Sequence, residues 1–176
     1  MNELTLQNIN LQPGNYVLEI GFGGGYLLEK ILTTKIPEFI AAIDPSIDVI
    51  KIGKKRFSQQ ITRGYLEIKQ GNAENLPYGD RVFDRICTVN TLYFWSDAKS
   101  VLNECNRVLK PGGKLVICYN SKEFLEETEL TKYGFTAYEV TELELLMENL
   151  GFTNVITTSA NSLSNGLFHC TSGIKF

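Results

Sequence analysis

The stretch Val17-Leu18-Glu19-Ile20-Gly21-Phe22-Gly23-Gly24-Gly25 constrains the fold of this chain more than any other. An apolar run with a carboxylate near its end reads as a buried strand, and glycines at 21, 23 and 25 let the backbone turn sharply out of it. With no Cβ in the way, such a turn brings backbone N–H groups against a ligand, and the helix beyond adds the positive end of its dipole. Strand, glycine turn and helix in this order predict an α/β sheet that holds a nucleotide-like cofactor at its carboxyl edge.

Downstream, β-rich apolar runs alternate with helix-period segments, the pattern of a parallel sheet covered by helices on both faces. The first strand spans about Tyr16 to Gly21, and Leu27, Leu28, Ile31 and Leu32 stripe the next helix before Pro37 closes the connection. Phe39 to Ile43 reads as the second strand, ending on Asp44. Pro45-Ser46 then opens a helix carrying Ile47, Ile50 and Phe57 inward, and Tyr65 to Ile68 makes the third strand. A turn-rich loop from Gly71 to Asp80 leads to a fourth strand, Val82 to Val89. The following helix buries Val101, Leu102, Cys105, Val108 and Leu109 and stops at Lys110-Pro111-Gly112-Gly113. After a fifth strand, Lys114 to Tyr119, the glutamate-rich segment from Ser121 to about Glu139 reads as an insertion at the ligand edge. A capping box Thr141-x-x-Glu144 predicts a helix with a Leu143, Leu146, Met147, Leu150 stripe ending at Gly151. The last two strands, Asn154 to Ser159 and Gly166 to Gly173, are joined too closely for a helical crossover and predict an antiparallel hairpin.

Composition removes several function classes. A chain of 176 residues, 43% apolar and 21% charged, fits one globular domain with a full core. The net charge of -3 offers no bulk attraction to phosphate backbones, and the basic run Lys51 to Arg56 reads as a solvated helix face, so no nucleic-acid partner is expected. No apolar stretch approaches the roughly 20 residues of a spanning helix. Met1-Asn2-Glu3-Leu4-Thr5 lacks a secretory apolar region, and a cytoplasmic protein with no membrane span is expected. Cys87, Cys105, Cys118 and Cys170 are scattered through apolar contexts with no C-x-x-C pair, which predicts buried reduced thiols and no metal site.

Four motifs in order resemble class I S-adenosylmethionine-dependent methyltransferases. They are Glu19-x-Gly21-x-Gly23-x-Gly25, Asp44 at the end of strand two, the loop Gly71-Asn72-Ala73-Glu74-Asn75-Leu76-Pro77, and Leu109-Lys110-Pro111-Gly112-Gly113. The resemblance runs from about Leu11 onward and extends to the group that includes ubiquinone and menaquinone biosynthesis methyltransferases. It implies a Rossmann-like three-layer sandwich with a seven-stranded, mostly parallel sheet in the order 3-2-1-4-5-7-6, strand 7 antiparallel, in one domain over residues 1–176. Members of this group carry helices ahead of the glycine strand that cap the site. Only 15 residues precede Tyr16 here, so a shortened cap is expected: the 121–139 segment covers the substrate alone, a partner completes the pocket, or the chain has been shortened.

The resemblance also implies roles residue by residue, with S-adenosylmethionine as cofactor and S-adenosylhomocysteine as product. Gly21, Phe22, Gly23 and Gly25 would pass under the methionine and ribose, and Glu19 would accept from the ammonium side or brace the loop. Asp44, with Pro45 beside it, would take the ribose hydroxyls; its alternative is a helix N-cap. Asn72 and Ala73 would meet the adenine, Asn72 standing where many relatives carry aspartate and accepting through a carbonyl instead. Backbone near Asn90 would approach the methionine end. The segment Asn90-Thr91-Leu92-Tyr93-Phe94-Trp95 is the candidate substrate wall, in which Tyr93 and Trp95, together with Tyr26, Tyr119 and Tyr133, either enclose an apolar or aromatic acceptor or pack the sheet edge.

Two other functions stay open on sequence. A dinucleotide oxidoreductase would suit the acidic residue 21 positions after Gly23, but Tyr26 occupies the third glycine of that fingerprint. A non-catalytic or partner-dependent subunit would keep the cofactor cleft without the lid. An Asn-Pro-Pro-aromatic tetrad after strand four is missing, which argues against a DNA-adenine acceptor, and Tyr119-Asn120-Ser121 replaces the aspartates of magnesium-assisted relatives. His169, in the last strand, reads as a structural imidazole distant from the cofactor edge. The acceptor, the methylated atom and the oligomeric state are not legible.

Overall fold

A computed structural model describes residues 1–128, 136–163 and 166–176. The elements are α1 (Asn2–Ile9), β1 (Tyr16–Ile20), α2 (Tyr26–Thr34), β2 (Phe39–Asp44), α3 (Ile47–Arg56), α4 (Ser58–Thr62) and β3 (Leu66–Gln70), followed by β4 (Phe83–Val89), a 3-10 turn (Leu92–Phe94), α5 (Ala98–Val108), β5 (Leu109–Asn120), α6 (Lys122–Glu127), α7 (Val140–Asn149), β6 (Phe152–Ser162) and β7 (Gly166–Lys175). The seven strands form one sheet in the order β3-β2-β1-β4-β5-β7-β6. All neighbours run parallel except β7, which pairs antiparallel with both β5 and β6.

Strand parity divides the core into two layers. On β1, Leu18 and Ile20 face α5 and α7, where Val101, Leu102, Leu143 and Met147 are buried. Val17 points the other way, into Ile9 of α1, Leu27, Leu28 and Ile31 of α2, and Ile50 of α3. Glu19 shares that second face and is 3% exposed. Reversal of the strand order between β1 and β4 opens a crevice at their carboxyl ends, where open α/β sheets take ligands.

Several local expectations are corrected. The N-terminal residues form α1, whose Ile9 and Thr5 are buried, and Lys114 donates to the carbonyl of Asn8 at 2.6 Å, placing a cation against the last turn. The helix expected to start at a Thr141 cap has its cap two residues earlier, because the capping box is formed by Glu139 and Glu142. Ile47, expected inward, is 48% exposed, since Ser46 caps α3 and starts its buried stripe at Ile50. β5 begins at Leu109, with the Pro111-Gly112-Gly113 stretch absorbed as a register shift against β4. The terminal hairpin is longer than expected because Ala160, Asn161 and Ser162 continue the ladder opposite Phe168, Leu167 and Gly166.

His169 sits opposite Tyr119 in the β5–β7 ladder, one residue from the carboxyl end of β5, so it lies on the ligand-edge side of the sheet. Its Nδ1 is 2.8 Å from Ser159 Oγ, and partial burial pushes its pKa down. All four cysteines are free and buried. Among the described residues no helix is long and apolar enough to cross a membrane.

Candidate functional site

A cavity of about 460 Å³ occupies the crevice, lined by strand ends and by the loops that leave them. From β1 come Ile20, Gly21 and Gly23, from β2 Ile43, Asp44 and Pro45, and from the loop after β3 Gly71, Asn72 and Ala73. Val89, Asn90, Thr91, Phe94 and Trp95 complete it from β4.

The glycine turn is held from three sides. Gly21 and Phe22 donate to the carbonyl of Ile43 at 2.8 and 3.3 Å, which ties the exit of β1 to β2. Gly21 has φ +69°, and a Cβ there would lie 2.4 Å from Thr91 Cγ2. Gly23 differs: its φ is +48° and a Cβ would meet nothing within 4 Å, so its bare face is turned to open space. Arg56 closes the third side from α3, donating to the carbonyl of Gly24 and, at 2.8 Å, to Glu29 Oε2.

Asp44 is 7% exposed and already engaged on both oxygens. Oδ2 accepts from Gly23 N at 3.1 Å and Oδ1 from Ser46 N at 2.9 Å. The N-cap of α3 is Ser46, whose Oγ accepts from Val49 N, so Asp44 is spared that task. Each carboxylate oxygen keeps further acceptor capacity beside the cavity. Asn72 and Ala73 line the same space. Asn72 Oδ1 accepts from Glu74 N at 3.1 Å, an Asx turn that shapes the loop.

Beyond β4, Asn90 adopts φ +57°, and its N–H donates to the carbonyl of Cys118 at 2.9 Å. The phenol of Tyr93 donates to Asn90 Oδ1 at 2.5 Å and itself accepts from Asn120 N at 3.3 Å, fixing the carboxamide. Thr91 Oγ1 bonds Thr88 Oγ1, which bonds the carbonyl of Ile20 at 2.8 Å, so the post-β4 loop is fastened over β1. Trp95 is 6% and Phe94 67% exposed; Phe94 forms the open rim. Thr136 N donates to the carbonyl of Tyr93 at 3.2 Å, which brings the end of the 121–139 segment against this wall.

Not every candidate residue lines the cavity. Phe22 is buried beneath the turn, its ring filling the space beside Gly53. Gly25 caps α2 against the ring of Phe57. Tyr93 acts behind Asn90. Tyr119 is 1% exposed, packed under α7 with its hydroxyl 3.0 Å from Thr171 Oγ1. Tyr26 is 68% exposed and lies in a separate groove between α1 and α2, and Tyr133 falls outside the described residues. The sequence reading passed over Ile20, Ile43 and Val89, whose signal was their place at the ends of three adjacent parallel strands, and Arg56, which had none.

Glu19 is enclosed two residues before the turn. Among the described residues its Oε2 has no hydrogen-bond partner, and burial pushes the carboxyl from 4.5 up to about 8. The neighbouring Cys87 thiol is likewise pushed up by burial first and then by Glu19. An orphaned acid at this depth is what a cationic ligand group would satisfy. Among the described residues Asp44 is the one titratable side chain on the cavity wall, and no three His, Cys, Asp or Glu converge as metal ligands.

Comparison with known proteins agrees with this geometry. A family model described as a methyltransferase domain matches residues 18–117. The ubiquinone/menaquinone biosynthesis C-methyltransferase UbiE of Shewanella sp. (strain ANA-3) is 31% identical over 160 residues, which cover 90% of this chain and 60% of that protein. The solved complex between the Haloferax volcanii Trm112 methyltransferase activator and a methyltransferase superposes with a TM-score of 0.86 at 19% identity, over 98% of this chain and 87% of that one. A SAM-dependent methyltransferase from Aquifex aeolicus gives a TM-score of 0.78 at 21% identity, over 99% and 89%. The strand order of the class and its antiparallel seventh strand are both present.

Proposed function

The chain belongs to the methyltransferase-domain family, and on that premise we propose that it transfers a methyl group from S-adenosylmethionine to a small apolar or aromatic acceptor. One observation carries this reading: a single cavity gathers the open face of Gly23, the carboxylate of Asp44 and the Asn72-Ala73 turn, with the orphaned Glu19 behind the glycines.

When bound, the cofactor supplies a methyl group on a sulfonium that is already a good leaving group. The protein's part is alignment. In this reading Gly23 lets the ligand approach the backbone, and Asp44 adds the two ribose hydroxyls to the two N–H groups it already holds. The ammonium answers Glu19, Ala73 backs the adenine, and Asn90, locked by Tyr93, borders the methionine end. Holding a nucleophile about 3 Å from the methyl carbon removes much of the entropic barrier. Trp95, 6% exposed, gives the acceptor side an apolar wall, which favours a step in which charge is neutralised. In this reading Asp44, the titratable side chain on the wall among the described residues, is committed to the ribose.

Calorimetric titration tests the cofactor. S-adenosylhomocysteine is expected to bind in the nanomolar to micromolar range and NAD not at all, and silence toward the former would reject the reading. Ala73→Trp is expected to weaken that binding at least ~30-fold in a domain that stays folded, since Ala73 lines the cavity. Arg56→Ala removes the hydrogen bond to Gly24 and the pair with Glu29; we expect a loss of affinity of about 5–20-fold, with Lys at 56 restoring part of it. Equal affinities in wild type and Arg56→Ala would show that the turn holds its shape unaided.

A partner-completed cofactor-binding subunit is the second reading, supported by the exposed rim at Phe94 and by the activator present in the solved Haloferax complex. Turnover of an acceptor panel by the isolated chain separates the two.

A further inference from the structure

We propose that the outer edge of β6 pairs antiparallel with the same edge of a second copy of this chain, joining two seven-stranded sheets about a two-fold axis. β6 is the terminal strand, with β7 on its only occupied side. In an antiparallel ladder every second residue directs both N–H and C=O away from its neighbour. Among the described residues, none of the outward groups of Ile156 to Asn161 meets a protein partner.

The two edges of this sheet are built differently. At the far side β3 is five residues long and carries Glu67 and Lys69, paired at 2.8 Å, a short charged edge of the kind that discourages association. β6 is 11 residues long, and from Phe152 to Ser162 it holds no charge and no proline. One irregularity, between Thr153 and Ile156 with Asn154 at φ +51°, bends the start of the strand and leaves Ile156 to Asn161 regular.

Charge selects the occupant. Two-fold antiparallel pairing sets a strand against its own sequence, so any single charge near the axis would face a like charge. A strand with none pairs with itself in any register without repulsion, whereas it offers nothing to a charged partner. Ile156, 61% exposed, and the β-branched Thr157 and Thr158 suit cross-strand contact. At about 3.3 Å per residue the six regular residues Ile156 to Asn161 span roughly 20 Å. A paired strip of that length falls below the roughly 1,200 Å² of standard interfaces, which implies a weak dimer. β6 lies three strands from β4, the nearest strand lining the cofactor cavity, so dimerisation leaves cofactor binding unchanged.

Sedimentation velocity from about 1 to 300 µM reads the association directly. The wild type is expected to pass from monomer to dimer across that range. The double variant Thr158→Lys, Asn161→Lys, both at exposed positions, is expected to remain monomeric, at least tenfold weaker, with unchanged Tm and unchanged affinity for S-adenosylhomocysteine. Hydrogen exchange supplies a second reading: amides between 156 and 161 should gain protection as concentration rises, with no comparable gain elsewhere. A wild type that stays monomeric at 300 µM, a dimer that survives the lysines, or protection appearing at another surface each overturns the proposal.

Discussion

Replacing Asp44 with alanine is expected to lower affinity for S-adenosylhomocysteine by at least roughly 100-fold. The carboxylate has two tasks. It accepts from Gly23 N at 3.1 Å and Ser46 N at 2.9 Å, fixing the glycine turn relative to the start of α3. In the proposed complex it also accepts both ribose hydroxyls, and hydrogen bonds to a charged group contribute about 1.5–3 kcal/mol each. Loss of the two ligand contacts alone accounts for about 3–6 kcal/mol, and each 1.4 kcal/mol is tenfold in affinity. Removal of the acceptor from two N–H groups near the protein interior costs stability as well, about 1–3 kcal/mol, visible as a fall in Tm of roughly 2–10 °C. Asparagine at 44 retains one acceptor and should fall between the two. Calorimetry at a temperature well below the variant's Tm separates affinity from unfolding. An alanine variant within tenfold of wild-type affinity would remove Asp44 from the site.

What the sequence made legible depended on short-range rules. The glycine turn, the acidic end of β2 and the alternation of strands and helices each follow from local chemistry, and they place the cavity at the correct strand ends. The aromatic residues show where local reading stops. Tyr119 belongs to β5, where Leu115, Ile117 and Tyr119 share one face beneath α7, and strand parity alone turns it from the cavity into the core. Tyr26 opens α2, and its ring lies beside Gly24 and 5.8 Å from the guanidinium of Arg56, a residue that reaches it from α3 and that no local pattern announces. Trp95 and Phe94 reach the cavity because they follow β4 instead of belonging to it.

Contacts that make the site rigid were the least legible of all. The bonds from Ile20 through Thr88 to Thr91 join residues of different strands, and Arg56 reaches Gly24 across 32 positions of sequence. No pattern within a window reveals either. Both depend on α3 and the post-β4 loop being placed by the packed sheet before their polar side chains can find partners.

The second large effect concerns Glu19 and depends on pH. Burial holds its carboxyl near 8 in the folded chain against 4.5 when exposed, the reverse of a paired carboxylate. Below 4.5 the group is protonated in both states and makes no difference to stability. Between 4.5 and about 8 the unfolded chain releases the proton while the folded chain keeps it, so stability falls as pH rises; above 8 both are ionised and the loss is complete. At about 1.36 kcal/mol per pH unit this amounts to about 5 kcal/mol. Glu19→Gln abolishes the titration. Whatever constant offset the amide introduces, the Tm of the variant should gain on that of the wild type from pH 5 to pH 9, by roughly 5–15 °C in a chain of this size. Parallel Tm curves for the two proteins would show that the carboxyl is not held protonated. In the proposed complex the cofactor's ammonium restores the charged form, so binding near pH 7 should release a proton, detectable as a buffer-dependent heat that the glutamine variant lacks. The same buried acid that weakens the empty fold would thus favour the cationic ligand, and the two measurements test its halves separately.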